Sequence, residues 1–268
     1  MAVAEAAVPH FEMGRVMKRS FSVIAHNIGT FAALSLIPGI PLAAFFYIAV
    51  STPRNAAGTR EPSDAATVLI LLAFVAYIIA AYVLQAAVMH STVAFLNGRR
   101  AALSNCISTG VSQIVSLFLI ALLTGIGIMI GMVLLIAPGI ILAVAWLVAV
   151  PARVVERTGV IDSMSRSRTL TRGHRWPIFG LWVAFGLLQV LIFVLITIVV
   201  GIGVRATIGT PATNLETSTP LAVIVVAEIT AAMMINAIIS AASVASIYYE
   251  LRVLKDGIGP ESLASVFD

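Results

Sequence analysis

Apolar and polar positions along this chain are sorted into long blocks. From Ala101 to Ala152, 52 consecutive residues include no Asp, Glu, Lys or Arg, and the stretch from Gln113 onward is almost wholly apolar. Further apolar runs cover Phe31–Val50, Thr67–Leu96, Trp176–Val204 and Leu221–Tyr249, and only the last holds a charge, Glu228. A hydrocarbon core about 30 Å thick needs roughly 20 apolar residues in a helix. The pattern predicts an all-α fold, a polytopic bundle of six transmembrane helices at about 30–51, 67–96, 113–133, 136–153, 176–204 and 221–249. The run 113–152 is read as two crossings joined by a tight turn between Gly131 and Gly139. A single crossing would put Arg153, Arg157, Arg166, Arg168, Arg172 and Arg175 on the wrong side for the positive-inside rule.

Other stretches carry helical periodicity with two faces. In 11–29, Met13, Met17, Phe21, Ile24 and Ile28 form an apolar stripe, and Glu12, Arg15, Arg19, Ser22 and His26 form a polar one. This predicts an amphipathic helix that Gly29 can end. It suits the membrane interface, and it equally suits packing on the protein's own surface. Leu103, Ile107, Val111 and Ile114 oppose Ser104, Asn105, Ser108 and Ser112 in a weaker version. A short basic helix is expected at 159–172, with Thr158 as N-cap and Gly173 in the left-handed position after its end. Pro177 suits the first turn of the fifth span. Pro38 and Pro41 predict a kink in the first span. Interfacial helix, span, external turn, span recurs at about 11–99, 100–157 and 158–255, which reads as three repeats. Residues 1–10 are expected to be a flexible tail, 11–255 a single membrane domain and 256–268 a cytoplasmic tail.

Composition agrees with this class. The chain is 60% hydrophobic and 10% charged, with mean hydropathy +1.06. Soluble domains have about 25% charged residues. The distribution of the net charge of +4 matters more than its size. Of 16 basic residues, Arg54, Arg60 and Arg205 fall on one side and the rest on the side holding both termini. Both termini are therefore expected in the cytoplasm of a bacterial inner membrane. The basic surface there faces anionic headgroups, so membrane lipid is the expected partner, with a membrane protein as a further one and no nucleic acid. No cleavable signal peptide is evident, and the first span is expected to direct its own insertion. The lone Cys106 excludes an internal disulfide.

The stretch 138–176, PGIILAVAWLVAVPARVVERTGVIDSMSRSRTLTRGHRW, carries the most specific motif. Pro138-Gly139-Ile140, Pro151, Glu156, Ser167, Leu170-Thr171-Arg172-Gly173 and Trp176 resemble the glycerophosphoryl diester phosphodiesterase membrane-domain family and related six-span bacterial proteins. Tyr248-Tyr249-Glu250-Leu251-Arg252 resembles the close of that family's last helix. The resemblance implies a fold and a membrane location. With 16 residues after Arg252, neither a phosphodiesterase domain nor a catalytic residue is expected from it.

Candidate chemistry is sparse. Glu228 is the one ionisable residue well inside a span, and Asn236 lies eight residues on, roughly on the same face. A carboxylate in hydrocarbon is a functional candidate by default, but a structural polar contact to a neighbouring helix is the expected role. Gln85, Gln113, Gln189 and Asn236 can join helices by hydrogen bonds, and Gly127 and Gly131 allow close helix approach. His26, His90 and His174 form no metal-ligand spacing, and no nucleophile elbow or phosphate loop is present. No catalytic residue, metal or cofactor is expected. Arg166, Arg168, Arg172 and Arg175 can bind lipid phosphate or an acidic partner, or serve as a topology signal alone. The sequence therefore favours a non-enzymatic inner-membrane scaffold that organises lipid or a membrane partner. The alternative is a small-solute or lipid transporter using Glu228.

Overall fold

The computed structural model describes residues 11–52, 61–98, 102–208 and 219–257. The tail expected at 1–10, residues 53–60 and 209–218 of the two loops expected to be external, the basic pair Arg99 and Arg100, and the tail from 258 onward lie outside the described residues. The described chain is helical: α1 (Met13–His26), α2 (Ile28–Ser51), α3 (Asp64–Leu96), α4 (Leu103–Leu134), α5 (Ile136–Trp146), α6 (Ala149–Glu156), α7 (Val160–Thr171), α8 (Arg175–Ile208) and α9 (Thr219–Asp256). Six segments are long and apolar enough to cross a membrane: α2, α3, α4, α5 with α6, α8 and α9. This is a multi-pass membrane protein.

Successive crossings form hairpins, α2 on α3 and α4 on α5, and α9 packs against α1, α2, α3 and α8. The third turn is abrupt. Leu135 alone, with extended backbone, separates α4 from α5. Glycine makes the close hairpin possible. A Cβ on Gly131 would lie 2.9 Å from Gly139 Cα, and one on Gly127 would lie 2.5 Å from the Trp146 ring. The Gly127/Gly131 pair thus serves packing within the chain.

Several boundaries differ from the sequence reading. Helix α1 ends at His26, before Gly29, because Asn27 leaves the helical conformation and its Nδ2 donates to Val23 O at 2.9 Å. Gly29 lies inside α2. Helix α2 continues through Pro38 and Pro41. The weakly amphipathic stretch at 103–114 is the start of α4, continuous with its span. Gly159, and not Thr158, is the N-cap of α7; the Thr158 hydroxyl instead meets Ser163 Oγ at 2.9 Å. Gly173 has φ +90°, the left-handed conformation expected after α7.

The buried face of α1 also differs from its stripe. Val16, Ser20 and Val23 are buried, while Met13, Phe21 and Ile28 are exposed. Val16 joins Val93, Val148, Leu170, Ile178, Tyr248 and Leu251 in a core cluster at the polar end of the bundle. A second cluster holds Val23, Phe31, Leu34, Leu84, Val88, Cys106 and Met234 between α1, α2, α3, α4 and α9.

Candidate functional site

The polar end of the bundle begins with a break in the fourth crossing. Pro151 has no N–H to give Leu147 O, and its ring crowds that carbonyl. The helix ends at Trp146 and resumes at Ala149. A continuous helix would satisfy Ala145 O from within. Here Ser167 Oγ donates to Ala145 O at 2.8 Å, with a longer approach from Thr171 Oγ1 at 3.5 Å. Both hydroxyls are fully buried. They tie α7 to the break, which gives Ser167 and Thr171 of the 138–176 motif a physical role.

The far side of α7 enters an ion network. Arg166 Nε donates to Glu156, 3.1 Å from either oxygen, and Arg166 Nη2 donates to Asp256 at 2.5 Å. Arg252 Nε meets the same Asp256 oxygen at 2.7 Å, and its Nη1 lies 3.4 Å from Glu156 Oε1. The Tyr248 hydroxyl donates to Glu156 Oε1 at 2.9 Å and accepts from Arg252 at 3.2 Å. Burial acts to lower the Arg166 pKa, but its hydrogen bonds to Asp256 and Glu156 and their charges outweigh this, so the guanidinium ends above its ordinary value. The network joins α6, α7 and α9.

A second anchor holds α1. Glu250, with its side chain 1% exposed, pairs with Arg19 and lies 3.3 Å from Arg15 Nε. The Arg19 guanidinium also sits 5.2 Å from the centroid of the Tyr249 ring. The polar stripe of α1 therefore turns partly inward, onto the end of α9. These pairs place the N-terminal helix and the end of α9 at the same end of the bundle.

The four arginines picked out by the sequence divide here. Arg166 belongs to the network above. Arg168, Arg172 and Arg175 line an open pocket of about 690 Å³ with Trp146, Ile161, Met164, Ser165 and Thr169. Among the described residues none of the three has a carboxylate partner, and Arg175 Nε is buried without a hydrogen bond. Next to them Trp176 is 83% exposed and starts an aromatic row: Phe179 follows at 6.3 Å and Trp182 at 6.4 Å beyond it. Exposed Trp beside an apolar helix is characteristic of the headgroup level.

The intramembrane polar residues also separate. Glu228 is half-buried on α9 and makes no hydrogen bond or ion pair among the described residues. Asn236 associates with Ser240, whose hydroxyl approaches Asn236 Oδ1 at 3.5 Å, and Gln189 of α8 donates to Ser240 Oγ at 2.8 Å. Among the described residues no group of three His, Cys, Asp or Glu side chains could hold a metal ion.

Glu156, Tyr248, Glu250 and Arg252 were visible in the sequence only as points of family resemblance, and Asp256 carried no signal. Their partners lie far along the chain, 92 residues apart for Glu156 and Tyr248. A charged residue just past the end of an apolar run was the one available clue.

The model of the family described as Domain of unknown function (DUF7847) matches residues 103–251. That is more than half of the chain, which belongs to this family, and the match covers α4 through most of α9. No curated protein and no solved structure matches the chain.

Proposed function

We propose that this DUF7847 member is a non-enzymatic scaffold of the bacterial inner membrane, with both termini in the cytoplasm, that gathers anionic lipid headgroups at its basic end and can present them to a membrane-protein partner. In this reading the polar end of the bundle is the cytoplasmic end. The exposed Met13 and Phe21 of α1, with Ile28 at the start of α2, rest on the membrane interface while the other face of α1 holds Glu250. The likeness to the phosphodiesterase membrane domain is then one of fold and location.

One observation carries the proposal. Three arginines without carboxylate partners, among the described residues, surround an open pocket beside an exposed tryptophan. Arginine's planar fork matches phosphate oxygens, and the apolar walls from Trp146, Ile161 and Met164 suit the adjoining lipid. Transport through Glu228 is less well supported, because Asn236 joins Gln189 and Ser240, and no polar group pairs with the carboxylate among the described residues.

The test is binding of labelled phosphatidylglycerol to the full chain in phosphatidylcholine nanodiscs. Each arginine contributes roughly 1 kcal/mol near the surface. Replacing Arg168, Arg172 and Arg175 by Gln is expected to weaken binding up to about 100-fold, since 1.4 kcal/mol is tenfold. Half-molar salt should weaken the wild type similarly. Unchanged affinity in a folded triple variant would refute the proposal.

A further inference from the structure

A second cavity, of about 580 Å³, lies between α8 and α9 and is walled in part by Tyr77 of α3. It is lined by apolar side chains such as Phe193 and Met233, with Tyr77, Gln189 and Asn236 as its hydrogen-bonding residues. Gln189 and Asn236 both stand near the midpoints of their apolar runs, Trp176–Val204 and Leu221–Tyr249. At that depth an amide without a partner is costly, because no water is available to satisfy it.

The hydrogen bonds fix which atoms remain open. Gln189 must present its Nε2 to Asn236 O, at 3.4 Å, because a carbonyl can only accept; the same nitrogen donates to Ser240 Oγ. Its Oε1 remains an open acceptor. Ser240 in turn points its hydroxyl at Asn236 Oδ1. The Asn236 amide N–H groups remain open donors among the described residues. The cavity therefore offers a donor and an acceptor close together, in an otherwise apolar space of ligand size. No charged side chain lines it, so a charged headgroup has nothing to pair with there.

The geometry points to a binding site for an uncharged lipid carrying a free hydroxyl beside an ester carbonyl, the diacylglycerol class. The carbonyl accepts from Asn236 Nδ2, the hydroxyl donates to Gln189 Oε1, and the acyl chains leave through the open side of the groove into the bilayer. This site is separate from the arginine pocket and stands independently of the scaffold reading.

The experiment uses the full chain in phosphatidylcholine nanodiscs and a diacylglycerol bearing a diazirine on one acyl chain. Light-driven labelling is mapped by mass spectrometry. Labelling is expected on α8 and α9 around the cavity. Unlabelled diacylglycerol should compete. Triacylglycerol, which lacks the hydroxyl, and phosphatidic acid, which is charged, should compete at least tenfold less well. Asn236→Leu keeps the volume and removes the donor, and should cut labelling at least tenfold. Gly186→Leu gives a second route: a Cβ there meets nothing within 4 Å, so the side chain enters the groove without a backbone clash. It should block labelling while thermal unfolding stays at the wild-type temperature or above. Labelling unchanged in both variants, equal competition by triacylglycerol, or light-driven links from these helices to a second copy of the chain would each overturn the proposal.

Discussion

Replacing Glu156 tests whether the ion network holds the polar end of the bundle together. The carboxylate accepts from Tyr248 and Arg166 and faces Arg252, and its side chain is 16% exposed. Arg252 is 9% exposed and Arg166 27%. Removing one partner of a fully buried pair costs about 3–5 kcal/mol. Two features reduce that figure here. Arg166 and Arg252 both keep Asp256, and Arg166 retains contact with solvent. Glu156→Leu should therefore destabilise by about 3 kcal/mol. Glu156→Gln keeps the shape and an acceptor for the Tyr248 hydroxyl but loses the charge-assisted bonds, typically worth about 1.5–3 kcal/mol. Its cost should be about 1.5–2 kcal/mol.

The assay is reversible unfolding in mixed micelles at fixed lipid content, with Tyr248→Phe added to complete a double-mutant cycle. The Glu156→Gln and Tyr248→Phe effects should couple by at least about 0.5 kcal/mol, because the two groups share a hydrogen bond. The effect should largely survive 1 M salt, since the pairs are shielded from solvent. If Glu156→Leu costs less than about 0.5 kcal/mol, or Glu156→Gln costs as much as Glu156→Leu, the network does not hold α6, α7 and α9 as argued.

Ser167→Ala combined with Thr171→Val leaves Ala145 O without its side-chain donors, and should cost about 1–3 kcal/mol in the same unfolding assay. Gly131→Ala puts a methyl group against the Gly139 backbone, and overpacking of this kind costs about 1–3 kcal/mol; Gly186→Leu should be neutral or stabilising by comparison. Cysteines placed at Asn55 and Asn214 should react with an impermeant reagent added outside cells, and one at Ser165 should not; labelling at Ser165 would reverse the proposed orientation. Glu228→Gln and Glu228→Leu should both fold with nearly wild-type stability, as no partner among the described residues is lost, and neither should change proton flux into proteoliposomes; flux present in the wild type and abolished by Glu228→Gln would favour the transporter.

How much of this was legible in the sequence follows from the range of each interaction. The crossings are properties of contiguous segments, and apolar run length locates them directly. Even the third turn fell inside the window set by Gly131 and Gly139, because two crossings in 40 residues leave little room elsewhere. The short basic helix was bounded almost correctly by its local chemistry, Gly173 above all. Thr158 was misassigned as a cap because its hydroxyl has a competing partner, Ser163, which only the folded turn brings near.

The site was legible only in part, because its grouping depends on which ends of distant helices meet. Arg166, Arg168, Arg172 and Arg175 look equivalent in a charge count, all lying on or just after one short helix. The fold separates them by their neighbours. Position 166 faces the carboxylates of α6 and α9, whereas the other three surround a pocket without carboxylates among the described residues. The same holds for α1, whose Arg15 and Arg19 read as a water-facing stripe until Glu250 is found beneath them. Periodicity shows that a helix has two faces, but not which is turned inward when a buried carboxylate waits on the neighbouring helix. In this protein one end of the bundle is held by paired charges, and the arginines left over from that pairing are the ones on which the proposed headgroup site rests.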